Sequence, residues 1–249
     1  MASLPRSLAA AAASVVVTAA APAVADDSLA ATRGSITEKA HTVDLVIRRG
    51  HARARVVREV HNHGERHDQA TFYLGMPEGA VAIGLRTRAT LGGRPVWYEG
   101  ELLEAELAAR RYQELTGIGG YYPKDPALLS WRAQDRLALQ VFPCPPKEDK
   151  AVGYDLALPT SWVEGRDRVE LPALGLEERR AVATLRTDVP GGRLFVEGHE
   201  VPSGVTLRLD GDRVIELEAP MMCSSCARFN RRLRGCASAR ARTAHRRTG

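Results

Sequence analysis

Apolar and polar residues alternate with a period of two through most of the chain after residue 36. Ala70, Phe72, Leu74 and Met76 are separated by Thr71, Tyr73 and Gly75, the pattern of a strand with one face in a core. Thr42-Val43-Asp44-Leu45-Val46-Ile47 opens the series, and Val81, Ile83 and Leu85 follow the same rule. Leu137-Ala138-Leu139-Gln140-Val141-Phe142-Pro143 is an alternating run closed by a proline that cannot continue a ladder. Val152-Gly153-Tyr154-Asp155-Leu156-Ala157-Leu158 completes the block. One stretch departs from this rule. Between Glu101 and Leu115, Leu102, Ala105, Ala109 and Tyr112 recur at helical spacing, with Ala108 and Leu115 alongside. Its glutamates come first and Arg110 and Arg111 near the end, the order the helix dipole favours, and Glu106 is one turn from Arg110. Gly117, Gly119 and Gly120 then stop it. The expected fold is mainly β: an antiparallel, sandwich-like domain with one α-helix packed on it.

After Pro159 the pattern changes. Glu164-Gly165-Arg166-Asp167 and Pro172-Ala173-Leu174-Gly175 are turn-rich. Ala183–Arg186, Leu194–Glu197, Val205–Leu209 and Val214–Glu218 then read as four strands separated by Pro190-Gly191-Gly192, Pro202-Ser203-Gly204 and Asp210-Gly211-Asp212. They are expected to form a second small sheet or the opening of a longer domain.

The order of blocks in residues 36–160 resembles the vault protein inter-alpha-trypsin (VIT) domain. In that family a helix bearing glutamate, alanine and tyrosine precedes a glycine loop, a leucine-leucine element and a strand ending in proline. Here these are Glu101–Leu115 with Tyr112, the Gly117–Gly120 loop, Pro126-Ala127-Leu128-Leu129-Ser130-Trp131 and Leu137–Pro143. His51–Asn62 is similar to the family's second strand, with Asn62 where the family often has asparagine, and Gln69–Val81 is similar to its next segment. Gln69 replaces the common glutamate, and Cys144-Pro145-Pro146 extends the usual single proline. The resemblance implies a non-enzymatic interaction or scaffold module without catalytic residues. VIT domains commonly precede a von Willebrand type A domain with an Asp-x-Ser-x-Ser adhesion motif, which is absent from this sequence.

Arg6, the apolar run Leu8–Thr18 and Ala23-Val24-Ala25 read as a secretory signal peptide over residues 1–25, cleaved before Asp26. The run is short for a membrane span, so none is expected in the mature chain. Periplasmic or extracellular placement follows, and 31 arginines against 4 lysines point to a GC-rich bacterial genome. The net charge of +5 is uneven: residues 221–249 hold eight arginines and no acid, which leaves 26 basic against 30 acidic residues once this tail and Arg6 are set aside. The body has no basic stripe interleaved with aromatics, which are only 5% of the chain, so nucleic acid is not an expected partner. The abrupt change at residue 221 reads as a disordered or frameshifted ending, or as a basic tail for an anionic surface.

Three places could carry chemistry. His61, His63 and His67, with Glu65 and Asp68 among them, have a spacing compatible with a metal site, and the plainer reading is a solvated loop. Cys223, Cys226 and Cys236, with His245, offer zinc-like spacing or a disulfide, and Cys144 reads as a small buried residue. Glu99, Glu101 and Glu104 are dipole partners at a helix start rather than paired acids. No Gly-x-Ser-x-Gly, His-Glu-x-x-His or phosphate-cradling glycine loop occurs. The sequence therefore assigns no catalytic, cofactor-binding or metal residue and expects no cofactor. It points to a secreted or periplasmic interaction module with an unidentified protein partner. The rival readings are a metal-dependent envelope hydrolase using His61, His63 and His67, and a truncated fragment of a VIT–von Willebrand A adhesion-type protein.

Overall fold

The computed structural model describes residues 27–101, 103, 105–116, 126–133 and 135–220. The signal peptide, Leu102, Glu104, the helix-stopping glycines and the tail with Cys223, Cys226, Cys236 and His245 lie outside the described residues. The strands are, in order, β1 (Ser28–Ala31), β2 (Ile36–Arg48), β3 (His51–Asn62), β4 (Asp68–Gly75), β5 (Val81–Leu91) and β6 (Arg94–Glu99). The helix α1 (Ala105–Thr116) follows, then β7 (Ala127–Ala133), β8 (Arg136–Cys144) and β9 (Asp149–Pro159). Beyond residue 160 come β10 (Ser161–Val163), β11 (Arg166–Leu171), β12 (Gly175–Leu176), β13 (Arg179–Arg180) and β14 (Val182–Thr187). The last are β15 (Arg193–Val196), β16 (His199–Val201), β17 (Thr206–Arg208) and β18 (Arg213–Glu218).

The expected class holds: the described chain is mainly β, sandwich-like, with one helix. Its largest sheet has seven strands in the order β17-β14-β2-β3-β9-β5-β6. A four-stranded sheet, β1-β4-β8-β7, and a five-stranded one, β10-β11-β18-β15-β16, accompany it. Alternation decides which residues turn inward, and Ala70, Phe72, Leu74 and Met76 are all buried. Residues beyond 160 divide between sheets: β15 and β18 join the five-stranded sheet, while β14 pairs in parallel with β2 and carries β17. Side chains of all three sheets belong to one buried cluster, from Leu45 and Val56 through Phe72 and Leu139 to Val169 and Leu217. The β5–β6 turn is Gly92-Gly93, with φ of 58° and 76°. Two consecutive positive φ values make the tight hairpin that only glycine, asparagine or aspartate tolerates readily.

Two bulges alter the simple alternation. In β2 the register shifts between Glu38 and Ala40, so Ile36, Glu38, His41, Val43, Leu45 and Ile47 are all buried. In β5 it shifts between Ala82 and Gly84. This corrects the alternation read from Val81, Ile83 and Leu85, because Val81 and Ile83 are each 52% exposed. The helix runs on to Thr116, so its last turn holds no basic residue and Arg111 instead pairs with Glu114 at 3.2 Å. Tyr112 is buried, as its helix face predicts, and its hydroxyl donates to Gln69 Oε1 at 3.1 Å.

Candidate functional site

At the end of β3 the three histidines meet different surroundings. His61 Nδ1 lies 2.7 Å from Asp149 Oδ1, and Asp149 also receives a hydrogen bond from Lys39. Those bonds, Lys39's first and His61's second, hold the Asp149 carboxyl below its ordinary range. His63 Nε2 meets Thr37 Oγ1 at 2.9 Å, and its ring stands edge-on to His61 with centroids 4.5 Å apart. His67 is exposed, and Glu65 pairs with Lys147 at 2.8 Å. Among the described residues no group of three His, Cys, Asp or Glu side chains is placed to hold a metal ion.

The turn is built instead around Asn62. Its Nδ2 donates to the carbonyls of Arg66 and Cys144, both at 2.9 Å, and its Oδ1 accepts from Gly64 N and Ser35 Oγ. Asp68 is buried and accepts from Arg33 N and Ser35 Oγ at 3.1 Å. Cys144 is fully buried. Glu99 and Glu101 are exposed.

Deep between the sheets lies a charge cluster that no sequence motif marks. Arg58 on β3 is fully buried and grips Glu38 with two bonds, Nε to Oε1 at 2.6 Å and Nη2 to Oε2 at 2.9 Å. Its Nη1 reaches Asp27 Oδ2 at 2.7 Å, whose other oxygen accepts from Gly75 N at 3.0 Å. The guanidinium also lies 4.3 Å over the Phe72 ring, and so ties β3 to β4. Burial pushes the Glu38 carboxyl up, and Arg58 pulls it back. Burial also pushes the Tyr154 phenol up. The adjoining cavity, lined by Asp27, His41 and Tyr154 among others, holds about 10 Å³. That is room for a single water, far below the roughly 300 Å³ of a small-molecule site.

His41 sits at the edge of this cluster, its Nδ1 buried and, among the described residues, without a hydrogen-bond partner. Gly175, at φ +97°, leaves it room, since a Cβ there would come within 2.8 Å of that nitrogen. Burial, helped by the Arg58 charge, pushes the imidazole well below its ordinary pKa. The folded protein thus keeps His41 neutral where an unfolded chain, titrating near pH ~6.5, binds a proton. Stability is complete above that pH and falls below it by about 1.4 kcal/mol per unit. Glu38 acts in the opposite sense, so the test compares the wild type with His41→Leu, in which Glu38 cancels. Urea titrations at about pH 7.5 and about pH 5.5 should show a steeper loss in the wild type than in His41→Leu, and equal slopes would refute the assignment.

The outer face of the seven-stranded sheet is the third feature. Asp155 points outward from β9, nearly buried under three guanidinium groups: Arg53 Nη2 at 2.6 Å, Arg86 Nη1 at 3.4 Å and Arg55 Nε at 3.5 Å. Gly153 makes room for this, because a Cβ there would lie 2.8 Å from Arg86 Nε. Arg86 and Arg88 stack beside Trp97, 5.3 and 6.0 Å from its ring centre, and Arg88 also pairs with Glu59 at 2.7 Å. Exposed Val81 and Ile83 adjoin this strip. The signal in the sequence was parity alone: Arg53 and Arg55 alternate with buried Ala52 and Ala54.

No protein-family model matches the chain. No curated protein matches it either. Among solved structures it is similar to the crystal structure of a "putative nutrient binding protein" from Legionella pneumophila subsp. pneumophila, at 12% identity and a TM-score of 0.32. That alignment covers 76% of this chain and 65% of the other, so the chain spans less than two thirds of the length of the protein it matches.

Proposed function

We propose that this chain is a non-enzymatic protein-interaction module of the VIT type, exported to the periplasm or beyond, that meets a protein partner with the outer face of its seven-stranded sheet. The observation that carries this reading is the strip of exposed Val81, Ile83 and Trp97 beside Arg53 and Arg55. Aromatic side chains and arginine are the residues enriched where proteins meet, and apolar neighbours keep water from the contact. The chain order of β3, β4, α1, β7 and β8 follows the VIT block order, which supports the family part of the reading. Cleavage before Asp26 would leave Asp27 in place to complete the Arg58 cluster.

A photo-crosslinking residue at Ile83 should capture a discrete protein adduct in the cell envelope. The same residue at Trp162, at 63% even more exposed but on the five-stranded sheet, should not. Capture from Trp162 alone, or from neither position, would reject this face as the interface.

A further inference from the structure

A second surface lies at the opposite edge of the same sheet, where the β12–β13 hairpin packs against β2, beyond which lie β14 and β17. There an open groove of about 260 Å³ is lined by Lys39, Ala40, Thr42, Val182, Glu178, Arg179, Arg180 and Arg208. Register explains the grouping: Arg208 stands opposite Val182, which stands opposite Thr42, and Arg179 and Arg180 descend from the hairpin.

The charges in this groove are unevenly engaged. Lys39 is matched by Asp149, and one Arg180 nitrogen donates to the Gly175 carbonyl at 2.9 Å. Among the described residues the side chains of Arg179 and Arg208 make no hydrogen bond or ion pair, and the Arg179 charge lies near enough to Glu38 to help pull that carboxyl down. Glu178 is the single acid in the lining. With Lys39 neutralised, three guanidinium groups against one carboxylate leave two positive charges. Each free guanidinium offers five N–H donors in a planar fork that fits a carboxylate or phosphate. The volume exceeds what one bare oxyanion fills, and Ala40, Val182 and the Thr42 methyl offer apolar contact to an organic body.

We propose that this groove binds a small organic dianion, a dicarboxylate or a phosphate monoester, through Arg179 and Arg208. The proposal goes beyond the interaction module and stands on separate residues. The test is calorimetric titration of the full chain with succinate, glycerol 3-phosphate, inorganic phosphate and uncharged succinamide. At least one organic dianion should bind more tightly than inorganic phosphate, and succinamide should not bind. Response to succinate alone assigns a dicarboxylate, and response to glycerol 3-phosphate alone assigns a phosphate ester. The double variant Arg179→Gln/Arg208→Gln should weaken binding at least tenfold, while Arg213→Gln on the five-stranded sheet should leave it unchanged. The bound dianion should also slow phenylglyoxal modification of Arg179 and Arg208, a readout independent of heat. Equal affinity in the double variant, binding of inorganic phosphate as tight as that of both organic dianions, or no binding of either would each overturn the proposal.

Discussion

Replacing Arg58 by alanine should lower the unfolding free energy by about 4 kcal/mol, because it strands two carboxylates in the core. Glu38 and Asp27 have side chains 0% and 3% exposed, and Arg58 is the cation bonded to both. The variant also loses the packing of the guanidinium on Phe72. Against a total stability of about 5–15 kcal/mol this is a large fraction, equivalent to a fall of roughly 10 °C in Tm for a chain of this size. Arg58→Met combined with Glu38→Leu and Asp27→Asn should recover much of the loss, since neutral residues of matching volume can replace buried ion pairs at little penalty and the asparagine amide oxygen can still accept from Gly75 N. Thermal melts of the two variants check both statements. A loss below about 1 kcal/mol in Arg58→Ala would mean that water reaches the cluster.

The second large effect is expected at Tyr112. The ring is 8% exposed, and burial pushes its phenol above the ordinary range, so it stays neutral and donates to Gln69. Tyr112→Ala should cost about 3 kcal/mol through the lost ring and the space left behind. Tyr112→Phe, which deletes only the hydroxyl, should cost about 1 kcal/mol. Denaturant unfolding separates the two. If both variants shift equally, the helix is held by something other than the ring. Gln69 makes chemical sense here, since its amide oxygen accepts the phenol hydrogen without burying a charge as glutamate would.

Much of this architecture was legible in the sequence because strands announce themselves by parity. His51–Asn62 and the alternation through Phe72 and Leu74 needed only the rule that successive side chains face opposite ways. What failed were the positions where a bulge resets that rule. Nothing in the composition of Val81-Ala82-Ile83-Gly84 says that one residue is extra on its strand, and so the inward assignment of Ile83 went astray. The Arg58 cluster failed for another reason. Counting by twos from Ala52 places Arg58 on the inner face, yet an arginine there reads as an error until its carboxylates, 20 and 31 residues away, are seen to meet it. The groove of Arg179 and Arg208 was hidden for the same cause, since its charges come from two separate strands and a hairpin. The histidines take separate places: His61 meets Asp149, His63 meets Thr37 and His67 is exposed.

The parallel pairing of β14 with β2 also sets a schedule. On the edge away from β3, Thr42 to Ile47 pair with Val182 to Thr187, so the sheet cannot close on that side until the last third of the chain has been made. Contacts this distant along the chain slow folding, because a long loop must close before they repay it. Until then β2 presents a bare edge of unpaired backbone groups, the template on which a second chain can add. A piece cut near residue 160 would carry every block of the VIT-like region and still lack that cover. Its weakness would lie in what its open edge recruits.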